Sequence, residues 1–551
     1  MSKMKRIFAV LLTLSMVLGM SVVTFADEKQ ATITVTGVDA ASTVTYEQII
    51  VPDQKEPTGW KFVSDSTAAG SFKTAITNAA GNSGKTDQQI IAGLIICKDA
   101  ANGEKLPDDL KNNAAKIDAD LLAIAFNTAA LSKEDVTLNG ANFEITAKDA
   151  GVYVIHATDV AKKEDASNPD KVTQWITYNP MAAYVSFGYT NGVVTSLNPV
   201  TVTAKQDNFS LTKEDNEADK VTAVGDVVEY TIKTSVPYIP DEVTQENAQF
   251  KIMDSMKGAY YVNSDVNSGA APAGVTAAEG TVKVMVKLQG ESEAREMSAD
   301  IKAVSADSEY ETSFELDLSE IAKAVDATTG RRTNANKTLE ITYKAYVTGT
   351  VIDNNAYMNI KNSNDGAPVK GPEDDDKIYT GALQITKKNA DSKDDTDKTL
   401  ANAKFVLYYT LSGTTYYAVT EKTGDVYTVT GWTETKPSGD DNLLVTGTGG
   451  TAVVNGLEDD TDREYFFEEV EAPEGYSINK TPAGIKEWKD GKRNEAASAN
   501  DRVGYSEISD TQLSSLPSTG GIGTTIFTIV GCLIMIAAAG LFFASRRKSE
   551  K

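Results

Sequence analysis

Apolar and polar residues alternate with a period of two along most of the chain. Ala31-Thr-Ile-Thr-Val-Thr36, Val227-Val-Glu-Tyr-Thr-Ile232, Leu339-Glu-Ile-Thr-Tyr-Lys344 and Val426-Tyr-Thr-Val-Thr430 are representative. A period of two sends alternate side chains to opposite faces of a strand, and turn residues separate the runs. The pattern therefore predicts a mostly β chain of packed two-sheet sandwiches. One stretch departs from it. From Thr86 to Leu131 the chain is rich in Ala, Leu and Ile with polar residues at helical spacing, as in Asp118-Ala-Asp-Leu-Leu-Ala-Ile-Ala-Phe126. Short helices inserted into the first domain are expected there.

Composition shifts divide the chain. One β-rich block ends and another begins between Val200 and Asn208. Gly366 to Lys377 carries Pro368, Pro372 and the acidic run Glu373-Asp-Asp-Asp376, which reads as a linker. Gln512 to Ser515 is a short polar stalk. The expectation is three tandem Ig-like β-sandwich domains at 27–205, 206–378 and 379–512. A length of 551 residues suits about three or four domains at ~150 residues each.

The two ends are of another kind. Met1-Ser-Lys-Met-Lys-Arg6 is basic, an apolar run follows from Ile7 to about Met20, and Thr24-Phe25-Ala26 ends on a small residue. That order reads as a secretory signal peptide over 1–26; as a membrane anchor the apolar run would be short for a bilayer. At the other end, Leu516-Pro517-Ser518-Thr519-Gly520 precedes a nearly charge-free segment from Ile522 to Ala544, and Arg546-Arg547-Lys548 closes it. Such a tail spans a membrane with its basic end in the cytoplasm and the pentapeptide near the outer face.

Charge and composition narrow the function. The formal net charge is −25, which argues against nucleic acid as a partner. His156 is the only histidine, so histidine-based catalysis and multi-histidine metal sites are disfavoured, and neither a metal nor a cofactor is expected. Of the two cysteines, Cys532 lies in the apolar tail, leaving Cys97 without a partner. Covalent stapling of this secreted chain would need chemistry other than a disulfide.

Candidate chemistry lies on the strands. In Leu383-Gln-Ile-Thr-Lys387 the period of two places Lys387 on the same face as Leu383 and Ile385, and Lys388 on the other. In Tyr465-Phe-Phe-Glu-Glu469, Glu469 shares a face with Tyr465 and Phe467. The last strand, Tyr505-Ser-Glu-Ile-Ser-Asp510, ends in another carboxylate. Buried as ions, these groups would be costly, and desolvation favours a neutral amine and a protonated acid. Those are the ingredients of a side-chain amide; a partly exposed ion-pair cluster on a strand edge would produce the same pattern.

Several of these motifs resemble those of Gram-positive sortase-assembled pilins. The C-terminal triplet resembles a sortase sorting signal, which implies cleavage between Thr519 and Gly520 and transfer of the Thr519 acyl group to an amine. The segment Tyr465-Phe-Phe-Glu-Glu-Val-Glu-Ala-Pro-Glu-Gly-Tyr476 resembles the pilin E-box, and the third domain resembles the B-type repeat of collagen adhesins. This implies an isopeptide bond between Lys387 and Asp510, promoted by Glu469. The sequence departs from the family in two places: Val470 replaces a usual Thr, and Asp510 stands where Asn is usual, so water rather than ammonia would leave. The second domain resembles the isopeptide-forming middle domain of fimbrial shaft proteins through Leu211-Thr-Lys213, Val224-Gly-Asp-Val-Val-Glu-Tyr-Thr-Ile232, Phe250-Lys-Ile-Met-Asp254 and Asn354-Asn-Ala-Tyr-Met358. It implies Lys213 joined to Asn354 with Asp254 as the promoting acid, and Asn355 as the alternative if the register slips by one. Val200-Thr-Val-Thr-Ala-Lys205 resembles the pilin motif without its aromatic and proline residues, making Lys205 a candidate polymerising lysine.

The function so implied is the major shaft subunit of a covalently polymerised pilus, anchored to peptidoglycan outside the cell, with a role in adhesion. Its expected partners are a sortase, other pilin subunits, peptidoglycan and host surface molecules, with the membrane holding the tail before cleavage. Apart from single self-crosslinking events the chain is not expected to be an enzyme. The alternative is a wall-anchored monomeric or minor-pilin adhesin.

Overall fold

The computed structural model describes residues 30–513, apart from 491–501 and a few short internal segments, together with 523–548. The signal peptide expected over 1–26 and the pentapeptide Leu516, Pro517, Ser518, Thr519, Gly520 lie outside the described residues.

The chain is mostly strand, and the alternation seen in the sequence is the burial pattern of the strands. Ala31, Ile33 and Val35 of the strand Ala31–Thr36 are buried, while the residues between them face outward. This strand pairs antiparallel with Asn142–Ala147 and parallel with Val200–Thr203, so the two ends of the N-terminal block lie side by side. A second sheet has the order Trp60–Phe62, Val44–Pro52, Gly151–Ala157, Met181–Val185. Gly151 permits close pairing here: with φ at +139°, a Cβ would lie 1.9 Å from the Ile50 carbonyl oxygen, beside a β-bulge at Gln48/Ile50.

Helices interrupt this block as expected from 86 to 131, at Asp87–Lys98, Ala100–Gly103, Asp108–Asn113 and Ala119–Asn127. Thr86 and Gln89 form a capping box on the first of them. Another helix, Thr67–Asn78, precedes the predicted region. Its sequence, with Gly70, Ser71, Thr74 and Thr77, has weak helical propensity. Burial of Ala68, Phe72 and Ile76 on one stripe, and the Ser66 N-cap, hold it instead.

The middle block pairs Thr212–Asp215 with Asp226–Ser235, and the latter with Thr338–Val347. Gln249–Lys257 lies between Thr312–Asp317 and Val351–Lys361. The expected linker at 366–377 is mostly strand. Val369–Asn389 is one continuous strand of 21 residues. It pairs antiparallel with Val351–Lys361, then antiparallel with Thr451–Leu457 and parallel with Arg502–Asp510. Its acids are each paired with a lysine. The Lys171 Nζ lies 2.9 Å from Asp374 and 2.7 Å from Asp375, and the Lys220 Nζ 2.7 Å from Asp376. Pro372 sits where the pairing shifts register, the place in a sheet where a missing N–H is tolerated.

The third block adds Lys404–Leu411, Thr414–Thr423 and Val426–Thr433 and the strand Tyr465–Glu471. The helix Gly523–Lys548 follows, with an apolar span Thr525–Arg546 of mean hydropathy 2.6, long enough to cross a membrane.

Candidate functional site: two buried lysine clusters

In the third block, Lys387 is buried on the long strand next to Ile385, and Asp510 ends the parallel strand beside it. Glu469 comes from Tyr465–Glu471, paired through Phe405 with the strand Lys404–Leu411. The three meet in the core. Lys387 Nζ lies 2.8 Å from Glu469 Oε1 and in contact with Asp510 Oδ1, and all three side chains have no solvent-exposed surface. Phe405 lies under the amine, its ring centre 5.9 Å from Nζ. The approach is close but not aligned as hydrogen bonds: Lys387 Nζ, Glu469 Oε1 and both Asp510 oxygens lack hydrogen-bond geometry. The other Glu469 oxygen accepts the Asn479 backbone N–H at 2.9 Å. Burial raises the Glu469 pKa, against the lowering effect of Lys387 and of the Asn479 N–H. Lys388 faces the other way and pairs with Glu507 at the surface.

In the middle block, Lys213, Asp254 and Asn354 are likewise buried and near one another. Lys213 Nζ contacts Asp254 Oδ2 and the Tyr343 hydroxyl. Tyr343 donates to Asp254 Oδ2 at 2.6 Å and Tyr261 to Asp254 Oδ1 at 2.7 Å. Asn354 Nδ2 donates to the Tyr343 oxygen at 2.9 Å, while Asn354 Oδ1 is buried without a hydrogen bond. Asn355 lies on the opposite, half-buried face, so the inward residue is Asn354. Burial lowers the Lys213 pKa, against the raising effect of Asp254, and raises that of Asp254, against Lys213 and the two hydroxyls. Both shifts favour an uncharged amine facing an uncharged acid, which is the protonation state that amide formation needs.

Strand patterning brings forward Lys387, Glu469 and Asp510, the resemblance to fimbrial shaft proteins brings forward Lys213, Asp254 and Asn354, and the fold gathers them as two sets of three. It does not bring forward the tyrosines. Tyr230, Tyr261 and Tyr343 are buried around the middle cluster, with the rings of Tyr230 and Tyr343 stacked 5.6 Å apart. The lysine amine sits 5.2 Å and 5.1 Å from the centres of these two rings. Inward tyrosines are ordinary core residues in a β sequence, and their only signal is their alternation with Ile341 and Ile232.

Lys205 is exposed, two residues beyond the strand Val200–Thr203, and its carbonyl accepts the Asn179 N–H at 3.0 Å. His156 is set apart from both clusters, its Nε2 2.7 Å from the Phe126 carbonyl oxygen, and burial lowers its pKa. Among the described residues no group of three or more His, Cys, Asp and Glu side chains is placed to hold a metal ion.

A family model described as the LPXTG cell wall anchor motif matches residues 508–551. A second, SpaA, described as a prealbumin-like fold domain, matches residues 381–501. No curated protein matches the chain. The T6 backbone pilin of serotype M6 Streptococcus pyogenes is 16% identical, with 84% of this chain and 81% of that one covered and a TM-score of 0.44. The major pilin SpaD of Corynebacterium diphtheriae is also 16% identical, covering 89% of this chain and 99% of that one at a TM-score of 0.41. The Corynebacterium diphtheriae major pilin SpaA is 14% identical, covering 88% and 100% at a TM-score of 0.37. By its tail, this chain is an extracellular, LPXTG-anchored cell-wall protein, and residues 381–501 match a prealbumin-like fold domain.

Proposed function

We propose that the chain is the shaft subunit of a covalently polymerised pilus, divided near residues 205 and 378 into three domains. In this reading a sortase cleaves between Thr519 and Gly520 and transfers the acyl group to Lys205 of the next subunit. Lys213 is joined to Asn354 with Asp254 as promoting acid, and Lys387 to Asp510 with Glu469. The observation that carries the reading is the pair of lysine clusters, each buried with an acid and an acceptor carbonyl. An unreacted buried ion set of this kind is costly, and conversion to an amide removes the charge. Each bond forms once, so the chain is structural rather than a turnover enzyme. The repeated transfer builds an open head-to-tail fibre.

A second reading, a wall-anchored monomeric or minor-pilin adhesin, is favoured by the surroundings of Lys205, where Ser196, Thr203 and Ala204 replace the aromatic and proline residues of the pilin motif. A denaturing gel of cell-wall extract probed for this chain separates the two. A high-mass ladder is expected of a shaft subunit, and a single band would overturn that role.

A further inference from the structure

We propose that the Tyr343 hydroxyl is the proton relay of the middle-domain crosslink, passing a proton from the attacking Lys213 nitrogen to the departing Asn354 nitrogen. The proposal rests on the reading that Lys213 and Asn354 become joined. Three groups converge on this one oxygen. Lys213 Nζ is in hydrogen-bond contact with it, Asn354 Nδ2 lies 2.9 Å away, and Asp254 Oδ2 lies 2.6 Å away. Tyr343 is buried at 1% exposure, so the hydroxyl meets these groups rather than bulk water. Tyr261 anchors the other Asp254 oxygen at 2.7 Å, which fixes the carboxyl that orients the phenol. Tyr230 is also close, but its hydroxyl makes no hydrogen bond.

The chemistry requires such a group. Attack of the neutral Lys213 amine on Asn354 Cγ gives a tetrahedral intermediate with an excess proton on Nζ and a poor leaving group at Nδ2. Direct transfer between two nitrogens on one carbon passes through a strained small ring, which a bridging hydroxyl enlarges. Before attack, the Asn354 amide nitrogen has a delocalised lone pair and donates to the Tyr343 oxygen. After attack the same nitrogen is pyramidal and basic, and accepts. The Tyr343 O–H proton passes to Nδ2, the C–N bond breaks with its electron pair leaving on ammonia, and the phenol oxygen takes its proton back from Nζ. The products are one secondary amide and one ammonia, with Tyr343 regenerated and no oxidant or reductant consumed. Burial raises the phenol pKa, which keeps the resting hydroxyl protonated.

The test uses the full chain lacking only the signal peptide, isolated from inclusion bodies in denaturant at its full sequence mass so that neither amide has yet formed, then refolded into detergent and acid-quenched at intervals for mass and peptide mapping. The wild-type chain should lose one ammonia in the peptide pair containing Lys213 and Asn354. Tyr343→Phe should lose it roughly a hundredfold more slowly, the usual reach of general acid–base catalysis, while the third-domain mass change keeps its wild-type rate. Ammonia loss at the wild-type rate in Tyr343→Phe would overturn the relay. Should that variant fail to fold, as read by protease resistance of the middle domain, 3-fluorotyrosine at position 343 decides, since it keeps the hydroxyl and shape but is more acidic. A rate changed by about threefold or more is expected there, and an unchanged rate overturns the relay. A wild-type chain that never loses ammonia overturns the crosslink itself and the relay with it, which is a different result from a bond that forms without Tyr343.

Discussion

A lysine with no exposed side-chain surface has to be neutralised, paired or consumed, and Lys213 and Lys387 are in that position. Around Lys213, burial pushes the amine down and the Asp254 carboxyl up, so crosslinking should have a pH optimum. At lower pH protonation of Lys213 removes the nucleophile; at higher pH Asp254 loses its proton and the acid is gone. Refolding of the unreacted chain from inclusion bodies, followed by mass against pH, should give a bell-shaped rate, with its optimum below the pH at which a free lysine amine loses its proton. A rate rising steadily to that pH would show an ordinary amine. In the third domain, Glu469→Gln should leave the chain one water heavier than wild type at the Lys387–Asp510 pair. It should also cost stability, by analogy with a long-loop disulfide about 2–5 kcal/mol, read as a lower midpoint in denaturant. Unchanged mass in the variant would remove Glu469 from the reaction. Lys387 and Glu469 were legible in the sequence because a charged residue on the apolar face of an alternating strand is an anomaly. Tyr343 was not, because a tyrosine there is what a core expects, and its partner Asp254 is 89 residues away along the chain.

At the scale of elements, the long strand Val369–Asn389 carries the main departure from the sequence reading. Acids and prolines signal solvated linker only if nothing pairs with them, and here the neutralising lysines come from distant segments, Lys171 and Lys220. Local composition offers Lys370 to Glu373, at 2.6 Å, but contains no trace of the partners of the three aspartates. The helix Thr67–Asn78 is not legible in the sequence for a related reason, since its stability lies in the packing of one stripe rather than in propensity. Where the long strand passes from the middle block to the third, two contacts flank it. The Trp432 indole donates to the Val224 carbonyl at 2.8 Å, and Arg463 Nη2 spans both Asp226 oxygens at 2.9 and 3.0 Å. Asp226 is buried at 4% exposure, so Arg463→Ala would leave its charge without that partner. Breaking one side of a buried ion pair costs about 3–5 kcal/mol. The variant should unfold earlier in denaturant, and limited proteolysis should cut at the junction that wild type protects. Equal protection and an unchanged midpoint would make the contact incidental.

At the scale of the whole molecule, the proposed bonds at the two lysine clusters and at Lys205 and Thr519 would define a covalent route. In the proposed fibre, tension enters at Lys205, crosses from Lys213 to Asn354, follows the chain onto the long strand to Lys387, and crosses to Asp510 shortly before Thr519. Hydrogen-bonded sheets outside that route carry little of the load. The route exists only if Lys205 accepts the incoming acyl group, and its position permits this: it is exposed, just past the strand Val200–Thr203 that closes the first sheet. Lys205→Ala should therefore abolish the high-mass ladder in wall extracts while leaving a wall-linked monomer, because the sorting signal is untouched. Thr519→Ala should remove wall linkage as well as the ladder, leaving the protein in the membrane and medium. The pair distinguishes acceptor from donor. A ladder that persists in Lys205→Ala would assign the acceptor to another exposed lysine. Wall linkage that persists in Thr519→Ala would remove sortase transfer at that bond from the account.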